Sequence, residues 1–119
     1  MTAHTLASMP SHLFAGIRVR SFQAARPWYE RLLGEPTSFP HATEAVWTLA
    51  QDGSVYVVEH AGGAGNSVAT VFVDDLDAQL TTIGARGLEP DEIETYSNGV
   101  RKAVFRDPDG NELAFAGAR

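Results

Sequence analysis

Ile17-Arg18-Val19-Arg20-Ser21-Phe22-Gln23-Ala24 and Val71-Phe72-Val73-Asp74-Asp75-Leu76-Asp77-Ala78 are two copies of one pattern. An offset of 54 residues lays Ile17 on Val71, Val19 on Val73, Phe22 on Leu76 and Ala24 on Ala78. It holds without a gap to Glu35-Pro36 and Glu89-Pro90. Further along, Asp52-Gly53 matches Asp109-Gly110 at an offset of 57, so the second copy carries three extra residues between these anchors. Two copies are too few for a solenoid and fit a duplicated module folded into one domain.

Each copy reads as β-α-β-β-β. An alternating strand comes first, over 13–20 and again over 68–73. Ser21 or Asp75 then stands where an N-cap side chain accepts from the first free backbone N–H groups of a helix. The first helix is expected over 23–33, with Trp28 and Leu32 on its apolar face, Pro27 near its first turn and Gly34 ending it. The second is expected over 76–86, with Leu76, Leu80 and Ile83 at helical spacing and Gly87 as the stop. Short strands follow near 37–39 and 92–95. Hairpins then run over 45–50 and 54–59 around Asp52-Gly53, and over 100–106 and 112–116 around Asp107-Pro108-Asp109-Gly110. The expected organisation is a lead-in over 1–12 and one α+β domain over 13–117. Within it, module one covers 13–60, a glycine-rich linker 61–67, and module two 68–117.

Composition narrows the functional classes. The chain has 119 residues, 44% hydrophobic and 20% charged, which suits one soluble domain. It has no cysteine, which excludes disulfides, zinc–thiolate sites, iron–sulfur clusters and a thiol nucleophile. Nine basic against 15 acidic residues give a net charge of −6, a poor match for a phosphate backbone, so nucleic acid is not an expected partner. Nor is a membrane, since no apolar run approaches the roughly 20 residues of a span. The start of the chain lacks the pattern of a secretory leader, and a cytoplasmic location is expected. No phosphate-cradle, dinucleotide or serine-hydrolase motif is present, and His4, His41 and His60 read as surface or loop residues.

Two segments carry a family resemblance. Trp28-Tyr29-Glu30-Arg31-Leu32-Leu33-Gly34, an aromatic pair followed by Leu-Gly, resembles the first-helix segment of the vicinal oxygen chelate superfamily. That group includes glyoxalase I, bleomycin-resistance proteins and extradiol dioxygenases. Asp107-Pro108-Asp109-Gly110-Asn111 resembles its last hairpin turn. With the repeat, the likeness covers about residues 13 to 117. It implies two βαβββ modules wrapped into a U-shaped partial barrel, helices on the convex face, a pocket on the concave face, and pairing of two chains as a homodimer.

The resemblance also implies where a metal would be held: near the first strand and on the last strand of each module. Carried onto this chain, the four positions are Phe14, Val57, Val68 and Ala114. None offers the nitrogen or carboxylate oxygen a divalent cation needs. A two-residue slip keeps the strand face and brings in His12, Glu59, Thr70 and Glu112, but the slips run in different directions on different strands. The expectation is therefore no metal and no cofactor.

Strand parity then gives a pocket. Phe14, Gly16 and Arg18 share one face of the first strand while Ile17 and Val19 face the helix; Val68, Thr70 and Phe72 correspond in module two. A tight final hairpin pairing Ala103 with Ala114 and Phe105 with Glu112 adds that strand pair. The candidate ligand pocket is Phe14, Arg18, Val57, Glu59, Phe72, Arg101, Phe105 and Glu112, apolar walls with a few polar groups. Phe14, Phe72 and Phe105 serve equally as core. Glu59 or Glu112 could be the structural partners of Arg18 and Arg101, and Trp47, expected opposite Val58, packs under the helix.

Three functions follow. The first is a metal-free protein that sequesters an aromatic or amphipathic small molecule, as the antibiotic-resistance branch does. The second is a metal-dependent lyase, isomerase or dioxygenase, which needs side chains such as His12, Glu59 and Glu112 to converge. The third is a structural or regulatory partner whose pocket is closed by its own phenylalanines.

Overall fold

The computed structural model describes residues 11–118. Ten of the twelve lead-in residues, with His4, lie outside the described residues. The elements follow the duplicated order: β1 (Leu13–Val19), α1 (Phe22–Leu33), β2 (Ser38–His41), β3 (Glu44–Ala50) and β4 (Gly53–Glu59), then a single 3-10 turn at Ala61–Gly63. The second copy follows as β5 (Val68–Phe72), α2 (Leu76–Ala85), β6 (Glu92–Thr95), β7 (Arg101–Arg106) and β8 (Glu112–Gly117). None of these helices is long and apolar enough to cross a membrane.

Both helices start at the expected caps. The Ser21 hydroxyl accepts from Ala24 N–H at 3.2 Å, and the Asp75 carboxylate from Ala78 N–H at 3.0 Å. Phe22, Ala25, Tyr29 and Leu32 recur at helical spacing and form the buried stripe of α1; Leu76 and Ile83 do so for α2. Pro27 falls in the second turn of α1, later than expected, on the exposed side. Gly34 ends α1 at φ 85°, a left-handed conformation that glycine adopts without strain. Just before it, the Arg86 guanidinium donates to the carbonyls of Arg31 at 2.7 Å and Leu32 at 2.9 Å, so the chain after α2 closes the end of α1.

Each module forms a four-stranded sheet, in the orders β1-β4-β3-β2 and β5-β8-β7-β6. The first strand pairs parallel with the last, and the other pairs are antiparallel. β1 and β5 are the neighbouring edges of two separate sheets and point in opposite directions: Leu13 and Phe72 share one cavity, while Arg18 N–H meets Ser67 Oγ at 3.4 Å. The two helices cover one face of both sheets. The core lies beneath them, with Ile17, Val19, Tyr29, Leu32, Trp47, Val57, Ile83, Phe105, Leu113 and Phe115 in one cluster. Trp47 is buried there as expected, although its cross-strand partner is Val55 rather than Val58. Its indole N–H donates to Gly34 carbonyl at 2.8 Å, which satisfies a buried donor.

The turn before β8 fastens the modules together. The Asp107 carboxylate accepts from Tyr29 hydroxyl at 2.6 Å, Asn111 N–H at 2.8 Å, Asp109 N–H at 2.9 Å and the Asn111 side-chain amide at 2.9 Å. That Asn111 amide also donates to Arg18 carbonyl at 2.7 Å, and its oxygen accepts from Gly65 and Ser67 N–H. Asp107 and Asn111 are both buried, so β1, α1, the linker and β8 meet at one satisfied polar cluster. Burial, and then the hydrogen bond to Asp107, push the Tyr29 phenol far above its ordinary value.

Candidate functional site

The face opposite the helices is the candidate site. Paired residues share a face, so the register assigns each side chain directly. From β1 and β4 come Phe14 with Ser54, Gly16 with Tyr56, and Arg18 with Val58. From β5 and β8 come Val68 with Glu112, Thr70 with Ala114, and Phe72 with Ala116. Phe14 and Phe72 are 54% and 66% exposed, large for aromatic side chains on a sheet face.

Of the residues expected in the pocket, Phe14, Arg18, Phe72 and Glu112 lie on this face. The other four do not, and in each case the reason is hairpin register. Ile17 pairs with Val57, so Val57 lies in the core under the helices. Val19 pairs with Glu59, whose carboxylate accepts from Phe22 N–H at 3.0 Å and supports the start of α1. In the second hairpin, Asp107 N–H donates to Asn111 carbonyl and its carboxylate gathers the turn N–H groups. The loop therefore closes at Arg106 opposite Glu112. That is one residue tighter than expected, and it turns β7 over. Phe105 pairs with Leu113 and packs edge-on against Phe115, with ring centroids 6.2 Å apart. Arg101 reaches Asp77 on α2 at 3.0 Å. Val104 and Arg106 take the places expected for Ala103 and Phe105.

The same shift changes the metal argument. Phe14 matches Val68, but the counterpart of Ala114 in module one is Tyr56, not Val57. His12 is committed to Ser54, at 2.7 Å, and Ser54 in turn to Thr48, at 3.0 Å. Glu59 lies on the other side of its sheet, and Glu112 lies beside Arg106 at 3.5 Å. Among the described residues no three His, Asp or Glu side chains gather in a way that could hold a metal ion.

The two ends of the β1/β5 seam differ. At one end, a cleft of about 240 Å³ opens on the helix side of the seam, lined by Leu13, Val55 and Val71, which share the parity of Ile17 and Phe115, with Leu49 and Phe72 beside them. At the other, a cavity of about 310 Å³ is lined by Gly16, Arg18, Tyr56, Gly63, Asn66 and Ser67. Tyr56, absent from the expected pocket, lies across Gly16, where a Cβ would come within 2.6 Å of its ring. The signal for it was β1/β4 pairing: a parallel partner of Ile17 at Val57 puts Tyr56 opposite Gly16.

Module two presents charge instead. Arg106 pairs with Glu92 at 2.7 Å as well as with Glu112, and Lys102 with Glu94 at 3.7 Å. The Tyr96 hydroxyl donates to Glu94 at 2.7 Å. That bond, followed by the charge of Lys102, lowers the Glu94 pKa; Tyr96 and Glu94 raise that of Lys102.

A sequence model of the Glyoxalase/Bleomycin resistance protein/Dioxygenase superfamily matches residues 10–115. A glyoxalase / bleomycin resistance protein from Catenulispora acidiphila is 50% identical, with a TM-score of 0.86 over 91% of this chain and 98% of that one. The bleomycin-binding protein of bleomycin-producing Streptomyces verticillus, solved with copper(II)-bleomycin, is 20% identical, with a TM-score of 0.70 over 92% and 97%. The bleomycin resistance determinant of transposon Tn5 is 20% identical, with a TM-score of 0.72 over 91% and 98%. These last two show likeness of fold. A search of curated proteins finds no significant match.

Proposed function

Because the chain belongs to the glyoxalase/bleomycin resistance protein/dioxygenase superfamily, we propose that it is a small-molecule-binding protein. In this reading it works without a metal and takes an aromatic or amphipathic ligand on the helix-free face. One observation carries it. Where the superfamily would place metal ligands, this chain has Phe14, Val68, Ala114 and Tyr56, and the same face exposes Phe14 and Phe72. A concave, mostly apolar surface with a few placed polar groups is the usual form of a small-molecule site. The Streptomyces relative of this fold binds an antibiotic, which supports sequestration of a small molecule as the role.

A homodimer belongs to the same reading. Leu13 and Val68, on the two inner edge strands, are 75% and 72% exposed. Uncovered apolar side chains invite a partner, and a second copy would cover them. Scattering or sedimentation should therefore give twice the 12.8 kDa of one chain.

Elemental analysis of protein purified without chelators, combined with fluorescence titration by planar hydrophobic compounds, tests the function. The expected result is binding without stoichiometric metal. A tightly held metal at one per chain overturns the metal-free reading, and failure of every planar compound to bind overturns the ligand.

A further inference from the structure

We propose that Arg18 is an anion-binding point on the helix-free face, and that the ligand is an aromatic acid: a planar ring carrying a carboxylate, sulfonate or phosphate. This rests on the small-molecule reading above and names the chemical class that reading leaves open.

The first argument is charge. Module two's cations on this face are paired, Arg106 with Glu92 and Glu112, and Lys102 with Glu94. Among the described residues the Arg18 guanidinium makes neither an ion pair nor a hydrogen bond, and no carboxylate lines its cavity. An arginine left unpaired in a chain of net charge −6 is a local positive point where acidic side chains were plentiful. A guanidinium presents a planar fork of donors that matches a carboxylate or phosphate.

The second argument is shape. The Arg18 side chain lies across Gly63, where a Cβ would fall 2.6 Å from its Cδ and 2.9 Å from Nη1. Gly63 is not in the left-handed region, so its backbone conformation does not call for glycine; the room it leaves is occupied by Arg18. Gly16 does the same for Tyr56. Two strand and linker glycines thus form notches in which an aromatic ring and a guanidinium lie side by side. The Ser67 hydroxyl and Asn66 amide complete the wall.

The third argument is order along β1. Phe14, Gly16 beneath Tyr56, and Arg18 follow at two-residue steps on one face, about 7 Å apart at a strand rise of about 3.3 Å per residue. A ring over Tyr56 places an acidic substituent at Arg18, and a longer apolar tail points to Phe14.

The probes are 2-naphthoate, 1-naphthyl phosphate and the neutral 2-naphthylmethanol, titrated against the full chain and against Arg18→Gln and Gly63→Ala. The wild type should bind at least one acid about tenfold or more tighter than the alcohol, as expected for a charge-assisted contact. That preference should shrink as salt rises from about 50 to about 500 mM. Comparing the two acids distinguishes a carboxylate from a phosphate ligand. Arg18→Gln should abolish the preference, so that the acids bind no tighter than the alcohol, and Gly63→Ala, which displaces the guanidinium, should weaken it. If the alcohol binds as well as both acids, or if Arg18→Gln keeps the preference, the anion point is overturned and the small-molecule reading stands. If no planar compound binds at all, both fall.

Discussion

The two modules share an architecture and differ on the surface it presents. Each has the same strand order, a polar N-cap at the matched position and an inner edge strand whose helix-facing residues are apolar. Away from the helices they part. Module one carries Phe14, Tyr56 and Val46, with the hydrogen-bonded His12–Ser54–Thr48 chain and one unpaired cation. Module two carries a lattice in which Arg106 and Lys102 are neutralised by glutamates. The constraint on a duplicated module is the core beneath its helix, and the open face is where the copies can diverge. Recognition chemistry is therefore expected from module one and from the seam, with module two as a charged and internally satisfied wall.

The sharpest contrast lies in the hairpin turns. The turn before β4 is short and exposed, whereas the turn before β8 buries Asp107 and Asn111 and holds four elements together. Replacing Asp107 by alanine strands the Tyr29 hydroxyl, the Asn111 amide and two turn N–H groups. It should cost about 3 kcal/mol or more in urea unfolding, since buried donors lose a charged acceptor. Asp52→Ala in the other turn should stay within about 0.5 kcal/mol. Equal costs for the two variants would show that the second turn is not the fastening point.

That turn also marks where the sequence ceased to be legible. The repeat, both N-caps and the element order were readable because they rest on local chemistry and on alternation, which is clean in β1. Register was not. β4 reads Ser54-Val55-Tyr56-Val57-Val58-Glu59, with apolar residues at both parities, so its pattern does not say which face is inward. β7, with Ala103, Val104 and Phe105 in succession, is equally mute. A one-residue difference in turn length flips every side chain of a strand. Turn length depended on the Asp107 carboxylate drawing in two N–H groups and on a bulge between Thr48 and Ala50, which Asp-Gly dipeptides do not reveal. Hence Val57, Glu59, Arg101 and Phe105 left the candidate face, and Tyr56 joined it.

Tyr29 gives the next test of the same fastening. Tyr29→Phe removes one of the donors to Asp107 and should cost about 1–2 kcal/mol at neutral pH. Its pH dependence has a definite sign. The folded pKa is raised above the unfolded value of about 10, so the protonated phenol stabilises the fold below that pH, and the contribution is lost as pH climbs beyond it. Urea midpoints should fall above about pH 10 in the wild type. Lys102, also raised, contributes in the same direction, so the informative quantity is the difference between wild type and Tyr29→Phe. The variant's alkaline decline should be shallower, and an identical decline would remove Tyr29 from the account.

A smaller asymmetry separates the helix ends. The carbonyls at the end of α1 are met by Arg86 from beyond α2, and among the described residues no side chain of module one donates to the end of α2 in return. Arg86→Ala should cost about 1 kcal/mol, through two carbonyls left to water and a cation lost from a helix C-terminus. Hydrogen exchange should localise the loss to the last turn of α1, with α2 nearly unchanged. Equal loosening of both helices would mean that Arg86 acts through packing between the modules rather than as a cap.

The least expected effect falls on the charged wall itself. Arg106 is bonded to Glu92 and lies beside Glu112, yet Arg106 and Glu92 are more than two-fifths exposed and Glu112 nearly a quarter. Exposed pairs are screened and offset by the entropy of fixing long side chains, so Arg106→Gln should leave stability nearly unchanged. Its interest lies in binding. Removing the cation leaves Glu92 and Glu112 uncompensated on the same face as Arg18, which makes that face more negative. If the wall is only a neutralised boundary, the affinity for 2-naphthylmethanol should hold while that for 2-naphthoate declines modestly at low salt and recovers at high salt, as a repulsion acting across a Debye length would. A large loss for both compounds would instead make Arg106 a direct ligand contact and move the recognition surface toward module two.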